Sequence, residues 1–197
     1  NRCCGSALKA LGYAKDAAHA ASDIQEQINI YPRLDTIIHL SPKCEPSFAD
    51  SRTMTFPSWL AGLAEQGRIA STTGVELPTV QYFHTCAAGS WNAAVVQLLR
   101  LLETTITNVN AGATLSPCCG ANGGMPQMAP ASAASMAAAA VSGYIEPEPT
   151  TPAQTVTLVA NPDCLGHLRS SINSTSTQIF GLAEFISRHF DISPFKS

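Results

Sequence analysis

The stretch Ser90-Trp-Asn-Ala-Ala-Val-Val-Gln-Leu-Leu-Arg-Leu-Leu-Glu-Thr-Thr-Ile-Thr-Asn-Val109 decides the fold. Val95, Leu98, Leu99, Leu102, Ile106 and Val109 recur at steps of three and four, with Arg100 and Glu103 off that face. Such a period makes one broad apolar side of a helix. Ser90 suits the N-cap, because its hydroxyl accepts from backbone N–H groups that the first turn leaves open. The sequence predicts a helix over 90–109, with Leu99 and Leu102 in the core.

Upstream, Ser6 to Ile30 reads as another helix, with Ala7, Leu11, Ala14, Ala18, Ala21 and Ile28 on one face and Pro32 as its stop. An alanine stripe buries little area but lets a partner come close. Leu34 to Leu40 is a β-branched run and predicts a strand. Pro57 and Ser58 open a short helix that Gly67 closes. Leu77 to Cys86 is the second strand, with Pro78 restricting its start.

Downstream, 111–130 is rich in Gly, Pro, Ser and Asn and reads as loop. Ala131 to Val141 reads as an Ala-rich helix ending at Gly143. Glu146 to Pro152 is a stiff connector of polyproline character. Thr155 to Ala160 is the third strand. Asn161-Pro162-Asp163 is a helix start: Asn caps, Pro fits the first position, and Asp complements the dipole. The helix after it carries Leu165, Leu168, Ile172, Ile179, Leu182, Ile186 and Phe190, with a weak middle at 170–177 that could break it. Cys-Cys-Gly occurs twice, but in different surroundings, so no internal repeat is read from it.

The chain has 197 residues, 45% hydrophobic and 13% charged, with a net charge of -3. That length gives one domain or slightly more. The apolar share excludes a wholly disordered chain. Only 11 Lys and Arg argue against broad nucleic-acid binding, which needs clustered cations. No apolar run is long enough to span a bilayer. No signal peptide is visible, but the chain starts at Asn1, so we expect a processed or excised fragment.

The seven cysteines are Cys3, Cys4, Cys44, Cys86, Cys118, Cys119 and Cys164. No Cys-x-x-Cys is present. Each adjacent Cys pair is followed by Gly, and this element resembles the Cys-Cys-Gly of iron–sulfur heterodisulfide reductase domains. The later Cys-x-x-Cys of that pattern is missing, and Cys164 stands alone. Disulfides, with the adjacent cysteines reaching different partners, or buried reduced thiols are the readings favoured from composition.

The stretch Tyr82 to Asn92 is the most enzyme-like. Cys86 ends a strand just before a helix, where a thiol pKa falls. It resembles the phosphate loop of cysteine phosphatases in outline, with Cys86 and Gly89 as Cys-x-x-Gly, but that family's Arg falls at Asn92. It also looks like a nucleophile elbow, with His84 and Ala88 where glycines would flank Cys86. His84 and Cys86 share a strand face at i, i+2. The five histidines show no metal spacing. Asn173-Ser174-Thr175 is the single glycosylation sequon.

These readings predict a mainly α fold, about five helices with a minor sheet of up to three short strands, α+β being the alternative. The predicted organisation is a helical core at 1–145, a connector at 146–153, and a strand plus C-terminal helix at 154–197 packing back on the core. The expected function is a structural or assembly protein, a capsid-type or scaffold subunit without catalysis. A disulfide-stapled secreted or surface module is the alternative, and a thiol enzyme using Cys86 the second. No catalytic, cofactor-binding or metal residue is assigned, and no cofactor. Expected partners are other protein subunits, in a homo- or hetero-oligomer, with no nucleic acid and no membrane span. A virion or intracellular complex is placed ahead of a secreted location. An interface is expected to use Ser6–Ile30, Ala131–Val141 or Glu146–Pro152.

Overall fold

The structure is a computed structural model that describes residues 3–44, 50–86, 89–107, 117–142, 155–171 and 178–193. In chain order the elements are α1 (Ser6–Ala10), α2 (Ala14–Asn29), β1 (Ile37–His39), β2 (Thr53–Thr55), α3 (Phe56–Glu65), β3 (Ile69–Ser71), β4 (Thr79–Phe83), α4 (Gly89–Leu101), α5 (Met125–Met128), α6 (Pro130–Ala140), β5 (Thr155–Val159), α7 (Pro162–Ser171), β6 (Ile179–Gly181), α8 (Leu182–His189) and β7 (Phe190–Ile192). The described chain is therefore mixed α and β, not mainly helical with a minor sheet.

The difference has a local cause. Several strands are three residues long, too short to show period-two alternation. Ile179 and Phe190 continue a helical spacing in sequence, yet they lie in β6 and β7. The β-branched and aromatic residues of these pieces pair because the tertiary fold supplies a neighbour. The first predicted helix is two, α1 and α2, separated at Gly12, whose φ is +87°. Helix α4 stops at Leu101, and Ile106 bridges to Val80 beside β4 instead of continuing the helix. The helix predicted from Asn161 is α7, and its Asn161 Oδ1 accepts from Asp163 N at 3.1 Å. The connector at 146–153, Val109, Ile172 and the Asn173 sequon lie outside the described residues.

Three parallel strands, in the order β4-β5-β6, form the main sheet. Strands β1 and β2 form a second parallel pair, and β3 pairs antiparallel with β7. Trp91, Val95, Leu98 and Leu99 of α4 pack with Leu60 and Leu63 of α3, Val80 and Tyr82 of β4, and Phe185 of α8 into one apolar core. Leu99 and Leu102 are buried, as the period predicts. Leu102→Ala is expected to cost about 2–5 kcal/mol from lost burial and the cavity left. Chemical denaturation measures it; a change below about 0.5 kcal/mol, typical of surface sites, would contradict the packing.

The two Cys-Cys-Gly tripeptides turn out to begin equivalent units. Residues 3–5, α1, α2, β1, the Ser41-Pro42-Lys43-Cys44 turn, β2, α3 and β3 run in the same order as 118–120, α5, α6, β5, Asn161-Pro162-Asp163-Cys164, β6, α8 and β7. Gly5 and Gly120 both take left-handed φ, +78° and +79°. A Cβ on Gly5 would lie 2.6 Å from Ala17 O, and one on Gly120 2.8 Å from Ala133 O. Each glycine thus lets its loop touch the backbone of the longer helix that follows. The antiparallel register sets Ile69 opposite Ile192 and Ser71 opposite Phe190, as a two-fold relation between units requires. Lys43 and Asp163, each just before its cysteine, meet at 2.8 Å. The similarity escaped the sequence because the helices and loops between these landmarks differ in length.

His189 is buried between the rings of Phe180 and Phe185, and neither ring nitrogen has a hydrogen-bond partner among the described residues. Burial first, and then Arg188, hold its pKa below the ordinary 6.5. The unfolded chain therefore binds the proton more readily, so stability should fall as pH drops below about 6.5. His189→Phe is expected to flatten that dependence in urea melts at pH steps. An unchanged slope would remove His189 as its source.

Candidate functional site

In an open parallel sheet the ends of the strands face outward toward loops, and ligands collect there. Strand β4 runs out through His84 and Thr85 to Cys86, and β5 runs out through Asn161 to Cys164 in the first turn of α7. Asn161 is fully buried, and its Nδ2 donates to Thr85 Oγ1 at 3.1 Å, tying the two strand ends together. Asn92 holds the other side of the turn. Its Oδ1 accepts from Tyr82 Oη at 2.7 Å and from Thr85 N at 3.2 Å, while its Nδ2 donates to Thr85 O at 3.0 Å. The position where a phosphatase loop would place its Arg is thus occupied by an amide that fixes the backbone under Cys86.

The second Cys-Cys-Gly closes on these strand ends. Cys86 Sγ and Cys118 Sγ are 3.9 Å apart, and Asn122 Nδ2 donates to Cys86 Sγ at 3.5 Å. Cys119 and Cys164 are both buried and share a hydrogen bond. The loop reaches this depth because Gly120 packs on Ala133, and because Ala133, Ala137 and Ala140 present only methyl groups along α6. The alanine stripe of α6 serves a close approach inside the chain. His167, one turn beyond Cys164, places Nε2 3.1 Å from Ala133 O and adds positive character near Cys119.

The four thiols are not equivalent. The Cys119 thiol is pulled down, first by the hydrogen bond from Cys164, then by backbone N–H groups and His167, against the opposing effect of burial. Its partner Cys164 is pushed far up, because it holds the proton of that bond and is buried. Burial, and then Cys118, push Cys86 up as well. The thiol biased toward the thiolate is therefore Cys119, not the Cys86 that the helix-terminus argument singles out. Cys86 is not expected to dominate iodoacetamide labelling near pH ~6, where an ordinary thiol reacts slowly. Selective labelling of Cys86 there would contradict this assignment. His84, the imidazole at i, i+2, lies tilted against the Tyr82 ring at 4.8 Å, and burial lowers its pKa.

A second pair lies in the first unit. Cys4 and Cys44 have sulfurs 3.0 Å apart, and burial with the Cys4 bond pushes the Cys44 thiol up to about 12. Cys3 is exposed. Between the units runs a cleft of about 590 Å³ lined by α1, the Pro42–Lys43 turn, the 121–124 loop and Asp163. None of the seven cysteines is joined in a disulfide in the structure, which has the reduced arrangement of the two that composition leaves open.

An iron–sulfur centre, which the Cys-Cys-Gly resemblance implies, needs several thiolate ligands. Among the described residues no three of His, Cys, Asp and Glu are gathered as a ready metal cluster. The second unit nevertheless supplies thiol donors in two pairs, Cys86 with Cys118 and Cys119 with Cys164, and Cys164 feels the charge of Cys86. Two sulfurs on one tetrahedral metal with bonds of ~2.3 Å stand about 3.8 Å apart. The 3.9 Å of Cys86 and Cys118 fits that spacing. Sequence reasoning missed Cys119; its signal was the adjacent Cys-Cys-Gly, together with the Pro-x-Cys that ends the neighbouring strand.

Residues 80–169, less than half of the chain, match a sequence family described as CCG, a cysteine-rich domain. The match begins in β4 and ends in α7, so it includes Cys86, Cys118, Cys119 and Cys164 and leaves out the pair in the first unit. No curated protein and no solved structure matches the chain.

Proposed function

We propose that Cys86, Cys118, Cys119 and Cys164 form a thiolate site for an iron–sulfur centre, and that the chain is a redox module rather than a hydrolytic thiol enzyme. The observation that carries this is two thiols at the ends of adjacent parallel strands met by two from the Cys-Cys-Gly loop, one pair spaced like ligands of a common metal. The resemblance to the Cys-Cys-Gly element supports the same reading, and so does the extent of the cysteine-rich match. Such a centre, when bound, supplies one-electron chemistry. The chain's own part is to hold the donors. Asn161 and Asn92 fix the strand ends, Gly120 and the α6 methyl groups admit the loop, and Cys119 is already biased to the thiolate that a soft metal binds.

Anaerobic incubation with ferrous iron and sulfide tests this. The chain is expected to retain both after desalting, with visible absorption of sulfide-bridged iron. Retention of zinc but not of iron and sulfide would replace the redox reading with a structural-metal one. Retention of neither would overturn the site.

The assembly role expected from the low charge is a second reading. The observation favouring it is the exposed apolar set on the first unit: Leu11, Tyr13, Ile30, Tyr31, Leu34 and Leu40. Native mass measurement decides it, since a monomer at micromolar concentration would remove self-assembly. Among the described residues no helix is long and apolar enough to cross a membrane.

A further inference from the structure

We propose that Cys4 and Cys44 are a reversible dithiol–disulfide site, separate in chemistry from the four-thiol site of the second unit. The two units place a cysteine pair at the same point: the second Cys of Cys-Cys-Gly beside the Cys of the Pro-x-Cys turn. In the first unit no further pair like Cys86 and Cys118 is seen beside it among the described residues, and its sulfur spacing suits bonding rather than a shared metal. Two ligands of one tetrahedral metal stand about 3.8 Å apart, and two bonded disulfide sulfurs about 2.05 Å. Cys4 and Cys44 stand 3.0 Å apart, too close for a shared metal and a short movement from bonding. Cys44 is half-buried and Cys4 buried, so a small disulfide reaches Cys44 first.

The step balances with an organic disulfide of the glutathione class, RSSR, as oxidant. Cys44 gives up its proton, the slow step because its thiol is held high, and its scarce but strongly nucleophilic thiolate attacks one sulfur of RSSR, forming a mixed disulfide and releasing RSH. Cys4, deprotonated in turn, attacks the Cys44 sulfur, and the second RSH leaves. Two thiols are oxidised to one disulfide, and one RSSR is reduced to two RSH. The bond would tie the chain just before α1 to the turn after β1. Both carry residues of the cleft wall, among them Ser6, Ala7, Pro42 and Lys43. Oxidation therefore fixes one side of the cleft between the units.

The test uses the full chain, equilibrated with oxidised glutathione, acid-quenched, alkylated with N-ethylmaleimide and cut with trypsin. The expected product is peptide 3–9 linked to peptide 44–52, reversed by dithiothreitol. Because peptide 3–9 holds both Cys3 and Cys4, variants assign the link. Cys3→Ser should keep it, and Cys4→Ser should lower it more than tenfold. Cys119→Ser, which disables the other site, should leave its yield within about twofold. A persistent glutathione adduct on Cys44 without closure would overturn the proposal. So would a link that survives Cys4→Ser and is lost in Cys3→Ser, or one that disappears in Cys119→Ser.

Discussion

Cys119→Ser should retain on the order of a tenth or less of the iron and sulfide that the parent chain holds after anaerobic reconstitution. Thiolate, not thiol, binds a soft metal, so each ligand must lose its proton first. Cys119 is the thiol whose environment already favours that loss, through the Cys164 S–H and nearby backbone N–H groups. A serine hydroxyl stays protonated there and is a hard donor. The change also strips Cys164, a buried group, of its hydrogen-bond acceptor. Even outer-shell partners of metal sites typically cost 10–100-fold in affinity, and a ligand should cost no less. Cys3→Ser, at an exposed position, should retain the parent's content. Equal retention by Cys119→Ser and Cys3→Ser would show that Cys119 is not a ligand.

Gly120→Val should destabilise the fold by about 2–5 kcal/mol, combining two effects. At φ +79° a β-branched residue sits in the left-handed region that L side chains avoid. Its Cβ would also stand 2.8 Å from Ala133 O and 3.0 Å from Ala133 Cα, backbone atoms that cannot rotate away. A chain of this length loses roughly 2–4 °C of melting temperature per kcal/mol, so the expected fall is roughly 5–20 °C. Gly123→Ala is the control: φ is +65°, but no atom of the described residues lies within 4 Å of its Cβ, so the backbone effect remains. Thermal melts of the two variants compare them. A Gly120→Val loss no larger than that of Gly123→Ala would show that the loop does not need its contact with α6.

Strong local patterns were legible, and pairings made at a distance were not. The buried face of α4 could be read because Val95, Leu98 and Leu99 recur at helical spacing, although the helix starts at Gly89, one residue before the Ser90 read as its cap, and stops at Leu101. Asn161-Pro162-Asp163 announced α7 by the chemistry of a helix N-terminus. By contrast, β3 and β7 are three residues each and exist as strands only because Ile69 finds Ile192 across a gap of more than a hundred residues. Nothing local in Ile69-Ala-Ser71 specifies that partner.

The site follows the same rule. Cys86 was visible as a thiol at a strand-to-helix turn. Its neighbours Cys118, Cys119 and Cys164 come from a glycine-rich loop and another strand end, and only the sheet order brings them together. The alanine stripe of 131–141 was read as a close-packing surface, which it is, but toward the chain's own Gly120 loop. The interface proposed for that stripe is open to the native mass measurement above.

Thiol footprinting of the metal-loaded chain tests the central assignment most directly. The iron- and sulfide-loaded protein and its metal-free form are alkylated in parallel with iodoacetamide, and each cysteine is quantified by peptide mass. Loading is expected to protect Cys86, Cys118, Cys119 and Cys164 as one set, while the exposed Cys3 labels equally in both forms. Loaded protein in which these four label as fast as in the metal-free form, or in which the protected set omits Cys86, would contradict the four-thiol site.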